Sequence, residues 1–389
     1  MRIKIFAAAF ALLILGCKTK PPIVTSIGKM KTPTNTISVK KTTASKKELA
    51  LETKIGQMIL VGINDRTSLS DTDSLRKELA EGKIGGIILF EKNISATDSK
   101  EKQRKLISDM QSMAPTPLFI SIDEEGGKVH RLKEKYGFIK MPSAAYLGAT
   151  KKTDSTFYHT KNLAALLADL GYNLNFAPDV DVALNPNNPV IAKVARSYSE
   201  NPDEVTAHAL ASIKAQHLYG VKTVLKHFPG HGSSMTDSHL GITDVTKQWD
   251  AVELIPYKAI IESRNCDAIM TAHIVNCKLD TSCLPATLSK TIMTELLREK
   301  LGFKGVIFSD DMQMLAISKN YGFENAIKMS ILAGVDVLLF GNNVNLTDRT
   351  TASEIHAVLM KLVKSGEISE HRIDESYKRI MELKKKKVN

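Results

Sequence analysis

Three histidines, a lysine and an aspartate fall within fourteen residues of this chain, in Lys226-His227-Phe228-Pro229-Gly230-His231-Gly232 followed by Asp237-Ser238-His239. Two chemistries suit that grouping. His227, His231, Asp237 and His239 together have the donor types of a metal site, and zinc hydrolases can draw ligands from loops. Alternatively, Asp237 orients His239 for proton transfer, work that suits imidazole because it titrates near neutrality. The H-x3-H spacing lies in a glycine-containing loop, not in the helical HExxH arrangement of metalloproteases. Polar histidines simply packed into a loop are the third reading. The residues alone leave all three open.

Three other segments carry candidate groups. In Val306-Ile307-Phe308-Ser309-Asp310-Asp311 an apolar run ends in two adjacent acids. Successive strand residues face opposite ways, so both cannot point into one site while extended. Asp310 ends the apolar run directly and is assigned inward; Asp311 is left to face the loop or cap the next helix. In Ser121-Ile122-Asp123-Glu124-Glu125-Gly126-Gly127-Lys128-Val129-His130-Arg131, Gly-Gly permits a tight turn that lets Arg131 reach back toward Asp123. Acids beside glycines are common in turns, so this segment is weak by itself. Arg196, in Ala195-Arg196-Ser197-Tyr198-Ser199, can clamp substrate oxygens or make a surface ion pair.

These groups need a scaffold, and the rest of the chain supplies a regular one. Short apolar runs at Gln57–Gly62, Ile84–Phe90, Leu118–Asp123, Asn173–Pro178, Thr223–Phe228, Ala268–His273, Val306–Asp310 and Val335–Phe340 read as strands covered on both faces. Amphipathic helical stretches separate them: Asp71–Glu81, Lys100–Met113, Asp154–Leu170, Pro202–Leu218, Val252–Ser263, Ser289–Leu301, Glu324–Ala333 and Glu354–Lys364. Glycines such as Gly82, Gly171 and Gly334 stop helices just before the next strand. Eight alternations admit a closed barrel or an open doubly wound sheet. Polar residues gather at the ends of many different strands (Asp123, Asp179, His227, His273, Asp310), whereas an open sheet concentrates its site at one switch point. The pattern predicts a single (β/α)8 TIM barrel over 48–389, with long loops at the catalytic rim.

Composition agrees with a globular α/β chain: 389 residues, 43% hydrophobic and 24% charged. The net charge of +11 suggests nucleic acid until it is located. Arg2, Lys4 and eight lysines against Glu48 place nine of the eleven excess positive charges before residue 49. The barrel itself is nearly neutral, so no nucleic-acid partner is expected. The Lys384–Lys387 run reads as a solvated helix end. Residues 1–16 have a positive start and the apolar run Ile5–Leu15, the form of an export signal. Ile14-Leu15-Gly16-Cys17 is similar to the bacterial lipobox, which implies lipidation at Cys17. Residues 17–47, rich in Lys, Thr, Ser and Pro, read as a flexible tether to a membrane. The localisation expected is an exported, membrane-anchored lipoprotein. Of the remaining cysteines, Cys266, Cys277 and Cys283, an oxidising compartment permits a Cys277–Cys283 bridge, but the odd count favours buried free thiols.

Taken in order, the four motifs resemble glycoside hydrolase family 3, and within it the β-N-acetylglucosaminidase branch. The Lys-His-Phe-Pro-Gly-His-Gly…Asp-Ser-His segment carries most of the resemblance, which spans about residue 49 to the C-terminus. The family's barrel and retaining hydrolysis imply roles here. Asp310 matches the nucleophile, and His239 with Asp237 matches the His–Asp acid/base of that branch. Asp123, Arg131, Arg196, Lys226 and His227 match sugar-binding positions. No cofactor and no metal are implied. Lys128 stands where the family's pattern has Arg after Glu-Gly-Gly, which keeps the charge but loses the planar fork. The implied reaction is release of non-reducing terminal β-GlcNAc. With the export signal, it points to peptidoglycan fragments or muropeptides as substrate, with chitin oligomers also open. Three alternatives remain: a β-glucosidase or β-GlcNAc phosphorylase of the same family, a zinc-dependent hydrolase, and a catalytically silent wall-binding lipoprotein.

Overall fold

The architecture comes from a computed structural model that describes residues 50–238 and 241–388. Residues 1–47, read above as an export signal and tether with Cys17 between them, and His239 lie outside the described residues. Eight parallel strands close into a barrel: β1 Ile59–Gly62, β2 Gly86–Leu89, β3 Phe119–Ile122, β4 Leu174–Asn175, β5 Lys222–Phe228, β6 Ala268–Thr271, β7 Val306–Asp311 and β8 Val337–Phe340. Each pairs with its sequence neighbours, and β8 returns to β1 with Val61 opposite Phe340. The (β/α)8 barrel read from the strand alternation is therefore the fold. No helix among the described residues is long and apolar enough to cross a membrane.

The barrel is filled, not hollow. Phe119 of β3 and Phe176 beyond β4 both meet Phe308 of β7 edge-on, with ring centroids 5.7 and 5.5 Å apart. Such geometry puts one ring's positive edge on another's negative face. Strand β4 is shorter than the predicted Asn173–Pro178. Pro178 has no N–H to donate to a ladder, and the segment regains β5 only through an isolated bridge between Asp179 and Lys226.

The helices form where capping groups start them. Asn201 accepts from the Asp203 N–H ahead of Pro202–His217, with Pro202 in the first turn, and Thr351 and Glu354 make a reciprocal capping box. The predicted Val252–Ser263 helix divides into a tight turn, Ala251–Leu254, and a helix, Ile255–Glu262. The sequence reading omitted Leu51–Gln57, Ala144–Ala149, Leu315–Tyr321 and Glu370–Lys385.

The last of these helices corrects one expectation. Lys385, Lys386 and Lys387 are exposed, but Lys384 is half-buried: its Nζ donates to Gln57 Oε1 at 2.6 Å and to the Gly85 carbonyl at 2.8 Å. It also lies 4.8 Å from the Phe119 ring centroid. Loss of water pushes this ammonium down to about 7. A second expectation also fails. Cys277 and Cys283 are bridged, and only Cys266 of the described cysteines is free. A tight turn brings their Cα atoms to 4.6 Å, built on Leu279 and Asp280 N–H bonds to the Asn276 carbonyl and a Cys283 N–H bond to Asp280. That turn was not readable from cysteine count.

Barrel closure depends on a close approach at the β1–β8 seam, where a Cβ on Gly62 would lie 1.8 Å from the Gly341 carbonyl oxygen. Gly62→Ala is expected to lower unfolding stability by about 1–3 kcal/mol, the usual cost of overpacking. Denaturant titration checks this, and an unchanged midpoint would show that the seam can open without cost.

Candidate active site

At the C-terminal mouth of the barrel lies a cavity of about 970 Å³. Asp123, Arg131, Arg196, Lys226, His227 and Asp310 all line it. Four different segments deliver them: Asp123 and Arg131 follow β3, Arg196 comes from the long loop after β4, Lys226 and His227 end β5, and Asp310 ends β7. Asp237 is not among the lining residues, and His239 is outside the described ones. Asp311 also lines the cavity. Its Oδ1 accepts from the Gln313 and Gly341 N–H groups at 3.0 and 3.1 Å, which caps the turn beyond β7.

The floor of the mouth is a network of buried charge. Lys226 Nζ contacts Asp123 Oδ1 at 2.8 Å and Glu125 Oε1 at 2.7 Å. Arg196 grips Glu125 with both prongs, Nε to Oε2 at 2.8 Å and Nη2 to Oε1 at 2.7 Å. This is the fork geometry that a lysine cannot reproduce. Arg131 Nη2 stands 3.5 Å from Asp123, with its guanidinium 5.7 Å from the Phe90 ring centroid. Burial alone would raise the Glu125 pKa, but Arg196 and Lys226 together hold it well below the ordinary carboxylate range. Burial likewise opposes the Lys226 charge, and Asp123 and Glu125 more than restore it.

A further layer aims these groups. His227 Nδ1 contacts Asp181 Oδ2 at 2.7 Å, and its Nε2 faces Arg196 Nη2 at 3.2 Å. Arg can only donate, so Nε2 accepts and Nδ1 carries the hydrogen toward Asp181. Asp181 is buried, which by itself would raise its pKa; its contacts with His227 and with His231 lower it instead. Neighbouring Asp179 goes the other way, raised well above its ordinary value by burial and then by the Asp181 charge. Among the described residues, Asp179, Asp181 and His227 have ligand atoms close enough to share an ion; His231 and Asp237 do not join them. Asp181 and His227 bond to each other and Asp179 Oδ1 accepts from the Asp181 N–H at 2.9 Å, while Asp179 Oδ2 is buried without a hydrogen-bond partner, 3.4 Å from Arg196.

A model described as the glycosyl hydrolase family 3 N-terminal domain matches residues 50–383. The chain belongs to glycosyl hydrolase family 3. It is 37% identical over 322 residues to beta-hexosaminidase A of Pseudoalteromonas piscicida, covering 78% of this chain and 53% of that one. It is 35% identical to a beta-hexosaminidase of Tolumonas auensis, over 69% of this chain and 78% of the relative. A solved family 3 beta-N-acetylglucosaminidase from Paenibacillus sp. superposes with a TM-score of 0.78 at 36% identity, over 86% of this chain and 62% of that structure. The chain thus spans about half the length of the Pseudoalteromonas relative.

Within this family 3 barrel the histidine loop is anchored at its base. Asp181 Oδ1 accepts from the His231 N–H at 2.8 Å, Asn188 Nδ2 donates to the His231 carbonyl at 2.7 Å, and Glu253 Oε2 accepts from the Gly232 N–H at 2.8 Å. Burial drives the His231 pKa down to about 4, so near neutrality its ring is neutral. Glu124 accepts from the Arg131 and Leu132 N–H groups and pairs with His130, which fixes the turn carrying Arg131.

Sequence reasoning missed Glu125, Asp181 and Glu253 as site residues. Glu125 was readable in principle, as the second acid of Asp-Glu-Glu-Gly-Gly. Glu253 lies in an ordinary helical stretch, and nothing local marks it.

Burial raises the Glu253 pKa from 4.5 to about 8. A carboxyl raised on folding binds more protons in the folded state across that interval, so its contribution to stability falls as pH rises from about 4.5 to 8. Glu253→Gln removes that term. The melting temperature of the variant minus that of the parent is expected to increase between pH 5 and pH 8. A difference independent of pH would show that Glu253 does not titrate this way.

Proposed function

We propose that the chain is a retaining exo-β-N-acetylglucosaminidase that removes non-reducing terminal GlcNAc. The observation that carries this reading is the single cavity shared by Asp310 with Asp123, Arg131, Arg196, Lys226 and His227. Its mixture of carboxylates and fixed cations offers both acceptors and donors, which neutral sugar hydroxyls require. Membership in family 3 and the names of the relatives, beta-hexosaminidase and beta-N-acetylglucosaminidase, support the sugar.

In this reading Asp310 attacks the anomeric carbon and the bond to the leaving oxygen breaks. His239 gives that oxygen its proton, oriented by Asp237. Water then attacks the glycosyl-enzyme, its proton passes to His239, and the Asp310 carboxylate is released. A histidine thus does what the second carboxyl does in most glycosidases. The proposed substrate is a GlcNAc-terminated peptidoglycan fragment, met in the cell envelope by a chain lipidated at Cys17.

Asp310→Ala is expected to lower turnover of p-nitrophenyl β-GlcNAc to background, with p-nitrophenyl β-glucoside a poor substrate of the parent. Near-parental activity in the variant removes Asp310 from the nucleophile's place. Preferential cleavage of the glucoside overturns the choice of sugar. His239→Ala should depress hydrolysis of unactivated chitobiose far more than of the activated aryl glycoside; equal losses on both would argue against acid catalysis.

A further inference from the structure

Behind the cavity wall, three buried side chains of β6 and the loop after it form a hydrogen-bonded circuit around the end of β7. The Asp310 N–H donates to Thr271 Oγ1 at 3.2 Å. Thr271 Oγ1 lies 2.7 Å from Thr287 Oγ1, which lies 2.7 Å from His273 Nδ1. His273 Nε2 reaches the Asp311 backbone carbonyl at 3.0 Å. A carbonyl only accepts, so Nε2 bears a hydrogen, and in the neutral ring Nδ1 is an acceptor. The directions follow: Asp310 N–H to Thr271, Thr271 O–H to Thr287, His273 N–H to the Asp311 carbonyl, with the one Thr287 O–H hydrogen shared between His273 Nδ1 and the Ala272 carbonyl. The Ala272 carbonyl accepts from Thr287 Oγ1 at 3.1 Å and from the Thr287 N–H at 3.3 Å.

The circuit holds the backbone at both ends of the acidic pair, the N–H entering Asp310 and the carbonyl leaving Asp311. Thr271, Thr287 and His273 are each 1% exposed or less, so water does not compete for these bonds. On the other side, the Asp311 carboxylate is held by the Gln313 and Gly341 N–H groups. The two-residue corner is therefore fixed from two directions, while none of the three circuit residues lines the cavity.

We propose that Thr271, Thr287 and His273 are positioning residues that fix the Asp310 carboxylate at its attacking distance. This rests on the reading of Asp310 as nucleophile. A displacement of about 1 Å in a reacting group costs about 100-fold in rate, without requiring any change in ground-state binding. The circuit touches backbone only, so its loss should appear in kcat and leave KM intact.

The test is steady-state hydrolysis of p-nitrophenyl β-GlcNAc by Thr271→Val, Thr271→Ser, Thr287→Val and Asp310→Ala in the full chain, with melting temperatures for each. Thr271→Val and Thr287→Val are expected to lose about 10- to 100-fold in kcat with KM within about twofold, and Thr271→Ser to restore most of that loss. A folded Thr271→Val with parental kcat overturns the proposal. So does a Thr271→Ser as slow as Thr271→Val, since the methyl and not the hydroxyl would then matter. Should Thr271→Val fail to fold, the pair Thr287→Ser and Thr287→Val makes the same comparison. An inactive Asp310→Ala beside fully active threonine variants refutes the circuit alone; an active Asp310→Ala refutes the nucleophile reading and the circuit with it.

Discussion

Lys226 is buried and Arg196 largely so, and both end on the carboxylate of Glu125. Two cations inside a protein are tolerable only with a counter-charge at hydrogen-bond distance, and removing a partner from such a set typically costs about 3–5 kcal/mol. That requirement ties three separate parts of the barrel mouth together: the turn after β3 supplies Glu125, the loop after β4 supplies Arg196, and β5 supplies Lys226. None of them can shift without stranding a charge. Asp123 shares Lys226 with Glu125, and His227 shares Arg196 with Glu125. The groups that line the cavity thus have fixed positions before any ligand arrives, as electrostatic recognition in a site of low dielectric demands.

The same economy governs the supports. Asp181 serves the His227 ring and the His231 N–H at once, so one carboxylate aims a cavity residue and anchors the loop beyond it. Glu253 holds Gly232, at a point where a Cβ would lie 1.7 Å from the Val182 carbonyl oxygen. The loop carrying Asp237 and His239 therefore leaves a clamped base. Side chains that fix geometry lie beneath the mouth, and those proposed to meet sugar lie on it.

Most of the barrel was legible because its physics is local. Apolar β-branched runs of strand length, amphipathic helices stopped by glycine, and polar residues ending several different strands together specify a closed parallel barrel. Six of the lining residues, Asp123, Arg131, Arg196, Lys226, His227 and Asp310, were also legible, since their types and motif order resemble a known family. What escaped depends on long-range placement. Lys384 looks like any lysine in a basic tail until the helix packs it against Phe119 and Gly85. Glu125 and Glu124 are adjacent in the chain, and only the fold shows that one neutralises Arg196 and the other holds Arg131 and His130. The Cys277–Cys283 bridge depends on a turn built on Asn276, which the cysteine spacing did not reveal.

The central claim is that Asp310 forms a bond to sugar. It is tested most directly by incubating the protein with a slow fluorinated β-GlcNAc donor and mapping the modified peptide by mass spectrometry. The account predicts one added glycosyl unit, on the peptide containing Val306–Gln313 and assigned to Asp310. A label on Asp311 or on Asp123, or inactivation without any covalent adduct, would contradict it.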